Sequence, residues 1–157
     1  MRKSLSAFAL ALTLSGCLGS APKSPVNWTI EAEVSRKVSL VTVCAPYDSA
    51  RIAVLRPNGS IAFDSFNAFP ASPSAIVRDL VTARRAGGSL VVRKIALDCR
   101  AESRRDALVE LEIDPADGEP PSKGRSSVPT DDGNFSAAFS AAFSAAYEQA
   151  LSGLKAR

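Results

Sequence analysis

The chain has 157 residues, with 19 basic and 16 acidic side chains, 46% hydrophobic residues and no histidine. Its length suits one domain, and its charged and apolar fractions are those of a globular protein rather than a disordered one. Because histidine is absent, the chain lacks the commonest general base and the commonest metal ligand. The three cysteines are spaced 27 and 55 residues apart, which matches no zinc motif. Composition favours a binding or structural module, with no metal and no catalytic site, over an enzyme.

The N-terminus has the features of a signal peptide of the lipoprotein type. Two basic residues precede an uncharged, mostly apolar segment at 4–14, which is too short to span a hydrocarbon core of ~30 Å. The sequence Leu-Ser-Gly-Cys that follows resembles the bacterial lipobox, so we expect Cys17 to carry a diacylglycerol and an N-acyl chain such as palmitate. No other cofactor is expected. A plain secretory signal with a chance cysteine is the alternative. The chain divides into three parts: signal peptide 1–16, lipidated tether 17–26 and folded domain 27–157.

The predicted compartment is the cell envelope, with the domain facing the periplasm. The residue after Cys17 is Leu18 rather than aspartate. In lipoproteins of diderm bacteria this resembles the default signal for the outer membrane, so the outer membrane is predicted in preference to the inner membrane. An oxidising space favours a disulfide between Cys44 and Cys99, and two buried free thiols are the alternative. Two of the 19 basic residues lie in the signal peptide, so the mature chain has 17 basic and 16 acidic residues. Because this net charge is close to zero, we expect no nucleic-acid partner.

Alternation and turn residues predict a mixed sheet with two helices, an α/β (α+β) single domain. Asn58-Gly59 predicts a tight type I′ hairpin, and Ser72-Pro73 predicts a helix start, with the stop at Gly87-Gly88. About five to six strands are expected, drawn from segments 27–33, 38–44, 51–56, 60–63, 90–98 and 107–113, with a short edge strand at 125–128.

The C-terminal segment repeats FSAA and places an aromatic residue at every fourth position, in a composition that strongly favours a helix. We expect one face of this helix to pack on the sheet and its small residues to lie beside the first helix. A surface for a partner protomer or an acyl chain is the alternative. Glu110 and Glu112 share one sheet face, where a solvated surface is the better interpretation than an acid–base pair.

The order of these motifs resembles the ABC-type transport auxiliary lipoprotein family, the paraquat-inducible protein C-like lipoproteins that accompany MCE-domain lipid transporters. The resemblance covers most of residues 28–152. It rests on a strand ending in a Pro-Tyr segment, a strand with an arginine, an aromatic and proline entry into an amphipathic helix, and an Ala-rich C-terminal helix; the residues are Val43 to Ser49, Arg51 to Arg56, Asp64 to Phe69, Pro73 to Asp79 and Ser136 to Leu151.

The resemblance implies an accessory lipoprotein of an ABC (MCE-type) system that moves phospholipid or other apolar compounds across the envelope. Its partners would be an MCE-domain protein and the permease and ATPase of the transporter, and a homo-oligomer is open. We expect the partner-binding surface to include Arg51, Phe66 and Phe69. A periplasmic lipid carrier with its own cavity along the aromatic stripe, or an outer-membrane assembly lipoprotein that braces a β-barrel, are the alternatives.

Overall fold

The computed structural model describes residues 26–84, 86–101, 103–130 and 134–155. The predicted signal peptide, Cys17 and all of the tether except Val26 lie outside these residues. The described chain forms one mixed sheet with two helices, which confirms the predicted fold class. Its elements are β1 Val26–Asn27, β2 Leu40–Val43, β3 Arg51–Leu55, β4 Ile61–Ala68, α1 Pro73–Val81, β5 Ser89–Asp98, β6 Asp106–Asp114, β7 Ser122–Pro129 and α2 Phe135–Lys155.

The sheet order is β1-β4-β3-β5-β6-β7. β2 also pairs with β5, because β2 and β3 lie one after the other along the same side of that long strand. β2 is parallel to the first half of β5 and β3 is parallel to its last residues, whereas β6 runs antiparallel along the other side. The sheet therefore has seven strands in the described chain, one or two more than predicted.

Both helices cover one face of the sheet, which we call the helix face. On β2, Val41 and Val43 are buried opposite Leu90 and Val92 of β5, while Leu40 and Thr42 point to the other side and are exposed. α1 packs on β2, and α2 packs on β6 and β7. The opposite side, which we call the open face, carries mostly charged residues: Leu40, Thr42, Arg93, Lys94, Glu110, Glu112, Lys123 and Arg125.

The segment 28–36, which we call the strap, runs along α2 in place of most of the first predicted strand. Its apolar alternation is as predicted, since Trp28 and Ile30 are buried. The backbone N–H groups of Thr29 and Glu31, however, donate to the hydroxyls of Ser136 and Ser140, at 3.2 and 2.9 Å, instead of to a strand. In this part of the described chain only β1 joins the sheet, and it includes Val26, the last residue of the predicted tether.

The strap makes two further contacts with the second half of α2. The Tyr147 hydroxyl donates to the Arg36 carbonyl oxygen at 2.7 Å, and the Ser35 hydroxyl donates to the Glu148 carboxylate at 2.8 Å. At its start, the Trp28 ring stacks on Phe135 with centroids 3.8 Å apart. Two serines of the repeat, Ser136 and Ser140, therefore serve as acceptors, four residues apart, for an extended segment of the same chain.

The hairpin and the first helix start where predicted, with two differences. Gly59 has φ of 79° but Asn58 does not have a positive φ, so the turn is a type I turn followed by a left-handed glycine rather than type I′. Ser72 caps α1 by accepting from the Ala75 N–H, as predicted. The helix ends at Val81 rather than at the glycine pair, because Thr82 adopts an extended conformation and bridges to Val38.

The small residues of α2 make their closest approach to β7, which differs from the predicted packing against the first helix. A Cβ added at Gly124 of β7 would lie 1.7 Å from the Ala146 carbonyl oxygen, and one at Gly153 of α2 would lie 2.2 Å from the Ser122 hydroxyl. These two glycines let helix and strand approach at backbone distance. The aromatic stripe itself is core: Phe139, Phe143 and Tyr147 are wholly buried.

The structure contradicts the predicted disulfide, since Cys44 and Cys99 are both free thiols. The Cys44 N–H donates to the Val92 carbonyl oxygen of β5, and Cys99 follows the end of that strand. Positions 92 to 98 of a strand that rises ~3.3 Å per residue span ~20 Å, far beyond the ~7 Å that a disulfide tolerates between Cα atoms. Both cysteines do lie at strand ends, but Cys44 lies beside the middle of β5 and Cys99 lies just beyond its end.

Candidate functional site

The edge of the sheet formed by β1 and the outer side of β4, which we call the tether edge, carries most of the large hydrophobic residues that are exposed in the described chain. The described chain has four exposed large hydrophobic residues, and three of them lie on this edge. Their exposed fractions are 56% for Val26, 38% for Ile61 and 68% for Phe66. The fourth, Leu40, lies on the open face. The described chain begins on the tether edge, so any anchor carried by the preceding residues would reach the domain here.

A local turn in β4 holds Phe66 outward. Ala53 pairs with Phe63 and Arg51 pairs with Ala68, so residues 64–67 of β4 lie opposite a single residue of β3. The Asp64 carboxylate closes this bulge by accepting from the N–H groups of Phe66 and Asn67 at 2.7 and 2.9 Å and from the Asn67 amide at 3.1 Å. The two backbone hydrogen bonds fix the main chain at Phe66, and the ring of this residue is left exposed to solvent.

Arg51 lies on β3 in the same strand pair as this bulge. Its guanidinium carbon is 5.5 Å from the centroid of the Phe63 ring, within cation–π range. The side chain is exposed, and the backbone N–H of Arg51 donates to the Ser49 hydroxyl at 3.1 Å. The structure thus places Arg51 and Phe66, two of the three residues predicted to bind a partner, on neighbouring strands beside the tether edge.

The third predicted partner-binding residue, Phe69, lies in the core. It is only 3% exposed, and its ring meets Phe139 edge-on with centroids 5.5 Å apart. Its N–H donates to the Ala50 carbonyl oxygen at 2.7 Å, which turns the chain inward after β4. The prediction of a surface role for Phe69 is therefore wrong in this structure, because the ring anchors the end of β4 to α2.

Ion pairs across strands organise the open face. Glu110 pairs with Lys94 of β5 at 2.9 Å and with Arg125 of β7 at 3.4 Å, and Glu112 pairs with Arg93 at 3.1 Å. The two glutamates lie on one sheet face, as predicted, and the paired carboxylates are consistent with a solvated charged surface. A shallow cavity of about 540 Å³ between these residues and Gln149 of α2 has both signs of charge in its walls.

A second group of ion pairs lies at the far end of β5 and β6. The Arg100 guanidinium donates to Asp98 at 2.6 and 2.8 Å, and this hydrogen bonding lowers the pKa of the Asp98 carboxyl. Next to it, burial raises the pKa of the Cys99 thiol, which disfavours the reactive thiolate. These groups stabilise the strand ends, and neither has the environment of an activated nucleophile or base.

The described residues contain no group of three or more side chains arranged to hold a metal ion. None of the helices in this part of the chain is long and apolar enough to cross a bilayer.

Two features of the site went unrecognised in the sequence. The Asp64 turn carries an aspartate two and three residues before the N–H groups that it accepts from, which is the spacing of an Asx turn. The two acceptor serines of α2 lie four residues apart, a spacing that places the hydroxyls on one helix face. Both signals are present in the sequence, but the first lies inside a strand and the second inside an aromatic repeat that favours a purely apolar interpretation.

No protein-family model matches the chain, and no curated protein matches it in sequence. The fold is similar to the crystal structure of a Xanthomonas campestris protein of the family DUF330, with a TM-score of 0.55 and 18% identity over 84% of this chain and 87% of that one. It is also similar to the crystal structure of an uncharacterized protein, with a TM-score of 0.59 and 11% identity over 86% of this chain and all of the other. At these identities the likeness concerns the fold alone.

Proposed function

We propose that this protein is a lipid-anchored accessory subunit of an ABC transport system of the MCE type, which moves phospholipid or other apolar compounds across the cell envelope. In this proposal Cys17 carries the acyl chains and the outer membrane is the site of attachment. The domain performs no bond chemistry, and it acts by docking an MCE-domain protein of the transporter at the tether edge.

The exposed Phe66 carries this proposal. A domain that only encloses its own ligand gains nothing from an aromatic ring exposed to water, whereas docking surfaces are enriched in aromatic side chains. The Asp64 turn fixes the ring before a partner arrives, which reduces the entropy cost of binding. The neighbouring Arg51 adds the second residue type that interface centres favour.

The packing of α2 supports docking over the alternative of a lipid carrier. A carrier cavity along the aromatic stripe would need free volume next to Phe139, Phe143 and Tyr147. These rings have no exposed surface, and they contact Phe69, one another and the strap. The bracing of a β-barrel would use the same edge, so the identity of the captured partner distinguishes it from docking to an MCE protein.

Recovery of the MCE-domain protein from the same envelope tests the proposal. The full-length lipidated chain is co-expressed with that protein, and Phe66→Asp is compared with Leu40→Asp, a matched change at the other strongly exposed apolar residue, on the open face. We expect Phe66→Asp to abolish recovery and Leu40→Asp to leave it unchanged. Equal recovery with both variants contradicts the assignment of the tether edge, and no recovery by the unsubstituted chain contradicts the proposed function.

A further inference from the structure

The first half of β4 has main-chain groups along the tether edge that have no hydrogen-bond partner among the described residues. In the β3–β4 hairpin the N–H of Arg56 donates to the carbonyl oxygen of Ser60, so that pair is hydrogen-bonded. Along an antiparallel ladder, hydrogen-bonded and non-hydrogen-bonded residue pairs alternate. The next pair, Leu55 with Ile61, is therefore non-hydrogen-bonded, and the N–H and C=O groups of its two residues point away from each other. The Leu55 carbonyl oxygen does point away, because it accepts from Cys99 after β5.

The same alternation makes Ala62 a hydrogen-bonded partner of Val54 and turns the N–H and C=O groups of Ile61 and Phe63 outward. Further along β4, the edge is already occupied. The Asp64 carboxylate takes the N–H groups of Phe66 and Asn67, and Ala68 accepts from Trp28 just after β1. The free stretch is thus bounded by Ile61 at one end and by the Asp64 turn at the other.

The other edge of the sheet is protected at two of its outward-facing positions, Arg125 and Pro129. On β7 the N–H of Arg125 donates to the side-chain oxygen of Gln149 of α2 at 2.7 Å, and α2 approaches Gly124 at backbone distance. The last residue of β7 is Pro129, which has no N–H to offer. Natural sheets guard their edges against pairing with other chains in these ways, and the described part of β4 lacks an equivalent cover at Ile61 and Phe63.

We propose that the partner binds here by strand addition: an extended segment of the MCE-domain protein pairs with β4 at Ile61 and Phe63, and the Phe66 ring contacts a side chain of that segment. This inference rests on the proposed function and specifies its binding mode. β1 supports it, because this edge already takes up a two-residue strand in parallel at Asn67 and Ala68. Main-chain hydrogen bonds then provide affinity and the exposed apolar side chains provide specificity.

The test compares Ile61→Pro with Ile61→Ala in the full-length lipidated chain, using recovery of the same MCE-domain protein. Proline removes the outward N–H at an edge position that can accept it, whereas alanine removes the side chain and keeps the N–H. We expect Ile61→Pro to weaken partner binding about tenfold relative to Ile61→Ala, the effect of losing about one main-chain hydrogen bond. As a measurement that needs no variant, the amide of Phe63 should exchange with solvent more slowly in the complex.

Three results would overturn the inference. Equal partner recovery with the two variants, together with unchanged exchange at Phe63, indicates contact through side chains alone, and leaves the proposed function intact if Phe66→Asp still abolishes recovery. Slow exchange of the Phe63 amide already in the absence of partner indicates that the chain's own N-terminal residues occupy the edge. A dimer of the unsubstituted chain that Ile61→Pro dissociates indicates a second copy as the occupant.

Discussion

At the scale of single residues, one carboxylate determines how the candidate surface is presented. Asp64 accepts three hydrogen bonds within its own strand, and these convert what would be a regular hairpin into a bulge with Phe66 at its tip. The aromatic ring is what a partner would contact, but its direction depends on an acceptor two residues earlier. Asp64 is thus a positioning residue for Phe66.

Replacement of Asp64 by alanine tests this dependence. Because the bulge then loses its acceptor at a half-buried position, we expect the free energy of unfolding to fall by about 1 kcal/mol and recovery of the MCE-domain partner to fall with it. Asp64→Asn keeps one carbonyl oxygen as acceptor and should retain most of both. Urea denaturation and partner recovery measure the two effects, and a variant that loses stability but binds as before would contradict the positioning role.

Tyr147 links stability to alkaline pH. Burial raises the pKa of its hydroxyl from 10 to about 12, because the neutral form is favoured in the fold, where it donates to the Arg36 carbonyl oxygen. A raised pKa contributes stability below the unfolded value of 10, and this contribution is lost as the pH rises through about 12. We therefore expect Tyr147→Phe to lower the free energy of unfolding by ~1 kcal/mol at neutral pH.

The difference between the unsubstituted protein and Tyr147→Phe should shrink between pH 10 and pH 12. Urea denaturation of both proteins across this range measures it, and tyrosinate absorbance follows the ionisation itself. A difference that stays constant through pH 12 would show that the Tyr147 hydroxyl is not the titrating group.

At the scale of elements, the strap and α2 act as one unit. The aromatic residues of the repeat pack in the core, and two of its serines accept hydrogen bonds from the strap. Two of the four positions of the repeat therefore have different structural roles. The strap consequently contacts α2 between Phe135 and Glu148, which links the tether edge to this helix.

Serine-to-alanine changes along the repeat separate these tasks. Ser136→Ala and Ser140→Ala each remove an acceptor for a strap N–H, at a cost of ~1 kcal/mol, which is offset in part by the ~0.5 kcal/mol higher helix propensity of alanine. We expect the double variant to be less stable than the unsubstituted protein. Ser144→Ala, which removes no such bond in the described chain, should be as stable or slightly more stable. Equal effects of all three changes in urea denaturation would contradict the strap contacts.

The elements also show what the sequence could predict. The position of the hairpin, the helix start and the buried aromatic stripe follow from local patterns, and the structure confirms each of them, whereas the predicted type I′ turn is a type I turn. The predictions for the end of α1 and for the path of the strap are wrong because both depend on residues distant in sequence. Thr82 leaves the helix to bridge to Val38, and the N–H groups of the strap donate to serines more than 100 residues away.

The same distinction applies to the candidate site. Arg51 and Phe66 could be placed on its surface from sequence, whereas Phe69 could not be excluded, because its burial depends on Phe139 of a helix near the other end of the chain. The absence of a disulfide likewise depends on the parallel pairing of β2 and β3 to separate parts of β5, which local patterns do not reveal.

At the scale of the whole molecule, the fold must be stable without a covalent cross-link between Cys44 and Cys99. Both thiols should react with a thiol reagent after unfolding without reductant, and the double variant Cys44→Ser with Cys99→Ser should keep its stability to within about 1 kcal/mol, since loss of a true disulfide costs ~2–5 kcal/mol. Mass spectrometry of the unreduced, alkylated protein measures this. A mass two hydrogens lower, with no alkylation of either residue, would contradict the separation of the two cysteines.

The molecule has two sides with different chemistry: an apolar tether edge where the described chain begins, and a charged open face stabilised by its own ion pairs. The central claim is that the tether edge is where the partner docks. Site-specific photo-crosslinking from position 66 of the full-length chain, expressed in its own envelope, tests it most directly, with position 40 of the open face as the control. We predict a crosslink to the MCE-domain protein from position 66 and none from position 40; a crosslink from position 40 alone would contradict the account.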